Sequence, residues 1–323
     1  MSGRVAVTGA NGFIGQTVVR HFRDAGWDVR AIVRPGRRCA LPDGVPLVPV
    51  RFTAPELARA AQETDVIVHT AGLTRAATAG RFYGANVEVT REVAQAAVKA
   101  GARLVHISSQ AAAGPGTPER PRLENDPPCP LTAYGRSKLA GEEVVKASRD
   151  LSWTILRPGP VYGPADRAAL PLFRLARWGI ALEVPRDPVP AYMFVHVDDI
   201  ARGIVAAATS PAAEGQVFSL GHPESVTAKT LSDALARVVG RPCRRMRIPY
   251  ALLLVAAVAG DAAALCGRPL SIDRARLTEL MAPGWVFSVE KARTRLGFVA
   301  RVDLLEGLAS TAAWYTRHGW LPR

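Results

Sequence analysis

The chain has 323 residues, 48% hydrophobic content and a formal net charge of +13, which suits one large α/β domain with a smaller lobe and excludes a disordered chain. The charge is an arginine effect: five of the 41 basic residues are lysines (Lys99, Lys138, Lys146, Lys229, Lys291), and the arginines are scattered rather than gathered in runs. No basic stripe or nucleic-acid module emerges, whereas an anionic small ligand would be drawn to such a surface.

Arg4 to Val7 reads as a strand. Thr8-Gly-Ala-Asn-Gly-Phe-Ile-Gly15 then puts three glycines in the turn to a helix starting near Phe13. Gly9 permits the tight turn, Gly12 lets backbone N–H groups approach a pyrophosphate, and Gly15 lets the helix pack closely on the strand. Asn11, Phe13 and Ile14 complete this cradle at the helix N-terminus. Strand-length apolar runs recur at Val29 to Val33, Leu47 to Phe52, Val66 to Thr70, Leu104 to Ser108 and Trp153 to Leu156, separated by helix-length segments such as Asn86 to Ala100. The alternation predicts a doubly wound parallel α/β sheet, with ligands at the carboxyl ends of its strands. Gly9, Arg34, Thr70-Ala71-Gly72, Ser109 and Arg157 to Gly159 follow those ends, and the cofactor set also takes in Pro158 and Val161.

A site for NAD usually ends its second strand with an acid that binds the ribose 2′-hydroxyl. Arg34 stands there instead, with Arg37 and Arg38 close behind. Charge-assisted hydrogen bonds from Arg34 and Arg38 would favour a 2′-phosphate, so NADP(H) is the expected cofactor, and NAD would also serve if these arginines only decorate an exposed loop.

Tyr134-Gly-Arg-Ser-Lys138 opens a helix, so Tyr134 and Lys138 share a face. Alone, this spacing is equally that of a helix with a snorkelling lysine. Ser108-Ser109, after a strand and upstream of Tyr134, adds a hydroxyl that holds a substrate oxygen. The three elements read as a hydride-transfer site: Tyr134 moves a proton, Lys138 tunes it and grips the ribose, and Ser109 orients the carbonyl or alcohol. Glu124 and Asp126 in the proline-rich loop before Tyr134 read as solvated, and the loop itself as a cover for substrate.

After Pro164 the pattern loosens, and helical periodicity returns at Asp198 to Ala208, Thr227 to Val239, Tyr250 to Cys266, Val289 to Leu296 and Leu304 to His318. Residues 1–164, with sheet contributions from 190–221, are expected to form the dinucleotide-binding domain, and 165–323 mainly the substrate-binding lobe. His196, Asp198 and Asp199 read as structural: the aspartates as helix N-cap and dipole partners, the histidine as a core hydrogen-bonding group. The apolar run Ala251 to Ala259 is too short for the ~20 residues of a membrane span. It is expected to be a packed helix that walls the substrate pocket together with Leu182 to Phe194, a lipid-facing patch being the alternative. Cys39, Cys129, Cys243 and Cys266 fit no metal-ligand or disulfide spacing, so no metal site is expected. With no secretory signal before the first strand, a reduced cytoplasm is the expected location.

These motifs, with Asp65 to Gly72, Asn86-Val87, Arg157-Pro158 through Val161-Tyr162-Gly163-Pro164 and His196-Val197-Asp198-Asp199, resemble the extended short-chain dehydrogenase/reductase family over nearly the whole chain. That family includes nucleotide-sugar epimerases and dehydratases, 3β-hydroxysteroid dehydrogenases and dihydroflavonol reductases. The resemblance implies a Rossmann sheet with a smaller C-terminal substrate lobe, Ser109, Tyr134 and Lys138 as the catalytic set, Lys138 on the nicotinamide ribose, and a homodimer through the tyrosine helix and Asn86 to Ala100. The family's usual acid near the adenine, after the third strand, is replaced by Arg51-Phe52, and nucleotide-sugar members often carry asparagine at the position of Pro160 and an Arg-Asp pair at Tyr192-Met193. Their absence favours a net NADP(H)-dependent oxidoreductase acting on a ketone or secondary alcohol of an apolar small molecule. The alternatives are a nucleotide-sugar epimerase or dehydratase that retains its cofactor and, less favoured given the intact triad, a dinucleotide-sensing regulator.

Overall fold

Valine and isoleucine crowd the runs that become strands, and both faces of each run are apolar, so the sheet they build must be covered on both sides. The computed structural model describes residues 3–37, 41–265, 270 and 272–322. Its first half runs β1 (Arg4–Thr8), α1 (Phe13–Asp24), β2 (Asp28–Val33), β3 (Leu47–Pro49), α2 (Ala54–Ala60), β4 (Val66–His69), α3 (Ala79–Tyr83), α4 (Val89–Ala100), β5 (Arg103–Ile107), α5 (Gln110–Ala113), α6 (Ala133–Ala147) and β6 (Trp153–Pro158). The second half runs β7 (Val161–Tyr162), α7 (Leu170–Arg177), β8 (Ile180–Glu183), β9 (Ala191–Tyr192), β10 (Val195–His196), α8 (Val197–Thr209), β11 (Gln216–Leu220), β12 (Val226–Thr227), α9 (Ala228–Val239), β13 (Arg244–Arg247), α10 (Tyr250–Leu265), α11 (Arg274–Leu280), α12 (Glu290–Leu296) and α13 (Leu304–Arg317).

Seven parallel strands form the central sheet in the order β11-β6-β5-β4-β1-β2-β3. Val18, Val19 and Phe22 of α1 and Ile200 and Ile204 of α8 bury one face. Leu57 of α2, Val93 and Ala97 of α4 and Val145 of α6 bury the other. Strand order reverses at β1, between β2 and β4, so a crevice opens at the carboxyl ends there. A second core, built on Phe173, Leu235, Leu308 and Tyr315, belongs to the C-terminal lobe.

Several elements depart from the sequence expectations. β3 stops at Pro49 rather than Phe52: Val50 N–H makes the last bond to Val33 O (2.9 Å), and Arg51 N–H turns to the Glu56 carboxylate (2.8 Å). The expected helix from Asn86 begins instead as a π turn, Gly84–Glu88, that runs into α4. His196, not an aspartate, caps α8, its Nδ1 accepting from Asp198 N–H (3.3 Å). Asp198 meets Arg20 (2.5 Å) and His21 (3.0 Å) on α1, and buried Asp199 accepts from the N–H groups of Arg301 and Val302 (3.0 Å each). All three residues are therefore structural.

The segments that converge on the catalytic end of the sheet are tied by a buried ion pair. Glu142 of α6, fully buried, accepts two hydrogen bonds from the Arg157 guanidinium of β6 (2.9 and 2.7 Å) and one from Ser108 Oγ (2.5 Å). Arg157 also donates to the Glu124 carbonyl (3.3 Å), and the Glu124 carboxylate accepts Ser219 N–H of β11 (2.9 Å). Glu124 is thus a structural tie, which corrects its reading as a solvated acid. Asp126 closes a local turn on Leu123 N–H (2.9 Å).

Replacing Glu142 by Gln leaves the Arg157 guanidinium uncompensated in a dry site. It is expected to cost about 3–5 kcal/mol of stability, read as a lowered midpoint in urea unfolding; an unchanged midpoint would mean that the pair does not hold these segments together.

Candidate active site

The glycine turn is built for close approach. Gly9 has φ +71°, and a Cβ on it would stand 2.7 Å from the Ala71 backbone; a Cβ on Gly15 would stand 2.2 Å from Gly9 O. Gly12 caps α1 without a side-chain hydrogen bond, so the first N–H groups of the helix, at Phe13, Ile14 and Gly15, face the crevice with no side-chain cap. Asn11 shapes the turn by accepting Gln16 Nε2 at its carbonyl (3.0 Å). Uncapped donors and the positive end of a helix dipole fit a pyrophosphate.

Across the crevice, Thr70-Ala71-Gly72 follows β4, and Thr70 Oγ1 donates to Thr8 O (2.7 Å). Asn86, in the π turn, fixes the next residue: its Oδ1 accepts Leu73 N–H (2.8 Å) and its Nδ2 donates to Leu73 O and to Ser137 Oγ (both 2.9 Å). The bulge that carries Asn86 fits a common site for such irregularities, where a side chain must be re-aimed. Gly141 lets α6 sit on this turn, since a Cβ there would lie 2.5 Å from Asn86 O. Arg34 is exposed just after β2 with its guanidinium 5.6 Å from the centre of the Phe52 ring. Arg38 and Cys39 lie outside the described residues, as does Cys266. Pro158 ends β6, and Val161 begins β7, whose partner is β10.

Ser109, Tyr134 and Lys138 come together at the carboxyl end of β5. Ser109 caps α5, its Oγ accepting Ala111 N–H (3.2 Å), and it lies close enough to Tyr134 to influence the phenol's ionisation. Thr132 caps α6 by accepting Gly135 N–H (3.2 Å), which sets Tyr134 in the first turn with its ring 5.9 Å from that of Phe82. Burial raises the Tyr134 pKa above the ordinary phenol value, with Glu279 adding to the rise and the Ser109 hydroxyl and Arg276 opposing it. Lys138 is buried and donates to Ile107 O (2.6 Å); burial pushes its ammonium down to about 8, against the pull of Glu142. His69 and His106 lie beneath it, both buried and both held neutral chiefly by burial, then by the Lys138 charge, His69 falling to about 3. His69 bonds Thr8 Oγ1 (2.7 Å) and Thr90 Oγ1 (3.1 Å), while neither nitrogen of His106 has a partner among the described residues.

Sequence reasoning missed the groups that return from the C-terminal lobe. Glu279 of α11 meets Thr132 Oγ1 and Arg276 Nη1 (both 3.2 Å), and burial raises its carboxyl above the usual range. Residues 284–288 pass between the loop 116–122 and β9, with Val286 N–H on Gly116 O (3.0 Å) and Met193 N–H on Trp285 O (3.1 Å). No local sequence pattern marks these contacts. Among the described residues no group of three or more metal-ligating side chains comes together.

A cavity of about 260 Å³ lies in the lobe, lined by Leu172, Leu182, Phe194, Leu231 and Leu280 among others, with Tyr192, Thr227 and Ser232 as its hydroxyl-bearing residues. Neither Ser109 nor Tyr134 lines it; Leu280, which does, follows Glu279 at the end of α11. The segment 182–194 walls this cavity as expected from sequence. Helix α10 packs on α11 and does not line this cavity; its Tyr250 and Leu254 line a second groove with Leu131 and Met281.

Residues 5–221 match the NAD dependent epimerase/dehydratase family. The chain is 33% identical to "Ceramide reductase" of Caulobacter vibrioides (strain NA1000 / CB15N), over 99% of this chain and 97% of that protein. It is 27% identical to "4-hydroxy-2-methyl-3-oxo-4-farnesyl-3,4-dihydroquinoline-1-oxide ketoreductase" of Stigmatella aurantiaca, over 94% of each chain. Among solved structures it is similar to "MoeE5 in complex with UDP-glucuronic acid and NAD", with a TM-score of 0.76, 28% identity, and coverage of 98% of this chain and 100% of that one.

Proposed function

The chain belongs to the NAD dependent epimerase/dehydratase family of extended short-chain dehydrogenase/reductases, NAD(P)-dependent enzymes, and from that premise we propose that it reduces a ketone on a long-chain amphiphile with NADP(H). The observation that carries this reading is the cavity of the C-terminal lobe, whose lining is mostly leucine, isoleucine, alanine and aromatic rather than the charged and amide groups a sugar diphosphate needs. Buried polar ligand groups left unpaired there would cost about 1–3 kcal/mol each. A ceramide reductase and a ketoreductase of a farnesylated quinoline among the relatives support the same substrate class.

In this reading residues 1–164, with β11, hold the dinucleotide, and 165–323 mainly the substrate. Gly9, Asn11, Gly12, Phe13, Ile14 and Gly15 receive the pyrophosphate, Arg34 and Arg38 the 2′-phosphate, and Thr70, Ala71, Gly72, Pro158 and Val161 the flanking groups. The chemistry that the bound dinucleotide supplies is hydride transfer. Ser109 and Tyr134 hold the ketone oxygen by their hydroxyls, with the alkyl chain in the cavity. Burial keeps the proton on Tyr134 until negative charge develops on that oxygen, whereupon the phenol gives it up to form the alcohol. The Lys138 ammonium stabilises the phenolate left behind and grips the ribose, while the neutral His69 and His106 add no competing positive charge. A homodimer through the outward faces of α4 and α6, where Val98 is exposed and Leu139 and Val144 are half-buried, and a cytoplasmic location belong to the same proposal.

The structural likeness to MoeE5 favours a second reading, a nucleotide-sugar epimerase that retains its cofactor. NADPH oxidation with a long-chain β-keto amide separates the two. Wild type is expected to consume NADPH stoichiometrically with ketone, and Tyr134→Phe to lose at least about 100-fold in kcat with cofactor affinity nearly unchanged. Tight uridine diphosphate binding with no ketone turnover would leave the epimerase reading standing.

Reduction needs the Lys138 ammonium, so its activity is lost as pH rises through the pKa of about 8. The profile of kcat/KM is expected to be flat below that value and to fall about tenfold per pH unit above it; a profile flat to pH 10 would remove Lys138 from the chemistry.

Exchanging Arg34 for Asp replaces a phosphate partner with a repelling charge. The ratio of NADPH to NADH affinity is expected to drop by roughly tenfold to a hundredfold, measured by titrating both cofactors, and equal affinity of wild type for the two would sink the NADP assignment.

A further inference from the structure

Apart from Asp261, which pairs with Arg274 of α11, helix α10 is apolar, yet it is covered on only one side. Leu253, Ala257 and Gly260 pack against α11 and its approach, so tightly that a Cβ on Gly260 would lie 1.8 Å from Ile272 O. The opposite face presents Leu252, Val255 and Val258, which are 61%, 68% and 50% exposed, together with Leu254, Ala251 and Ala259; Asp261, at its edge, is paired with Arg274. An all-round apolar helix in a folded protein belongs in a core or in lipid. No helix of the described residues is long and apolar enough to cross a membrane, and the 16 residues of α10 span only about 24 Å of a hydrocarbon core ~30 Å thick.

The charges beside this face indicate what covers it. β13, Arg-Arg-Met-Arg, is exposed at every position and leads into α10 through Ile248 and Pro249. Arg245 pairs with Asp233 (2.7 Å), while Arg244 and Arg247 have no acidic partner among the described residues. Trp178, 70% exposed, precedes Gly179, whose carbonyl accepts Arg244 N–H (2.8 Å). A convex apolar face bordered by unpaired guanidinium groups and an exposed tryptophan matches a bilayer interface, with acyl chains for the helix and anionic phosphates for the arginines. A second copy is a poorer fit, because a two-fold contact centred here brings like-charged strands together.

We propose that α10 and β13 form a docking surface for an anionic lipid bilayer, on which the protein lies without inserting across it. A groove of about 480 Å³ lined by Tyr250, Leu254, Met281 and Leu131 opens beside the docked face. Leu131 precedes Thr132, the cap of the Tyr134 helix, so the groove ends beside the start of that helix.

Flotation of the full chain with phosphatidylglycerol/phosphatidylethanolamine vesicles, and with phosphatidylcholine vesicles as the neutral arm, tests this without any substrate. The protein is expected to float with the anionic vesicles, to bind them at least about tenfold more tightly than neutral ones, and to show a blue shift of tryptophan fluorescence. Leu252→Glu/Val255→Glu and, independently, Arg244→Glu/Arg247→Glu are each expected to weaken binding by at least about tenfold, with the unfolding midpoint and the turnover of a water-soluble ketone unchanged. Absence of flotation, or binding that neither pair of substitutions reduces, would overturn the proposal. A dimer seen by sedimentation equilibrium that Leu252→Glu/Val255→Glu dissociates, with no vesicle binding, would overturn it in favour of a self-interface.

Discussion

The carboxylate of Glu142 is the constraint on which the catalytic end of the molecule depends. It is fully buried, and it balances two buried cations at once, Arg157 by paired hydrogen bonds and Lys138 through space. Taken out of water alone, any one of these charges would be strongly unfavourable; together they are tolerated only where geometry is good and remaining polar atoms are satisfied. That condition fixes β5 through Ser108, β6 through Arg157, α6 through Glu142 itself, and the loop at Glu124, which in turn reaches β11 at Ser219. The apolar layers on either face of the sheet would accept small shifts. The ion cluster is directional, and beside it Lys138 is tied to the end of β5 by its own hydrogen bond to Ile107 O (2.6 Å).

Small residues let that cluster form. Gly141 brings α6 onto the π turn at Asn86, and Gly135 brings the same helix onto Ala111 O, where a Cβ would stand 2.4 Å away. With α6 so close, Asn86 can reach Ser137 on one side and the strand-end loop at Leu73 on the other. The helix that bears Tyr134 and Lys138 is therefore seated by backbone contact along its inner face, and its side chains have little freedom left to lose when ligands arrive.

Much of this was legible in the sequence because it is local. The glycine turn, the apolar strands and the Tyr134–Lys138 spacing each reflect one element's own geometry, and the parallel sheet follows from their alternation. What was not legible depends on residues far apart in the chain. Glu124 reads as a loop acid until β11 is placed beside β6, and Glu279 and Arg276 read as an ordinary helix until α11 folds back toward Tyr134. The end of β3 turned on Arg51 N–H finding the Glu56 carboxylate, and the cap of α8 on a histidine whose backbone precedes the acids expected there. The apolar run at 251–259 was visible, but its side chains alone do not say that only one face finds a protein partner.

The place of β11 has a consequence for how the chain is made. This strand, which completes the sheet beside β6, is read out only after the excursion through α7, β8 and α8. A nascent chain that has emerged as far as β6 already holds six strands, yet it presents an open, flat and apolar strand edge, the kind that pairs with neighbouring chains. It also lacks the Ser219 N–H that receives Glu124 and the α8 residues that cover one face of β4 to β6. Closure of the sheet is thus a late, long-range step, slow by its loop entropy. Until β11 arrives, the edge of β6 is open to pairing with other chains.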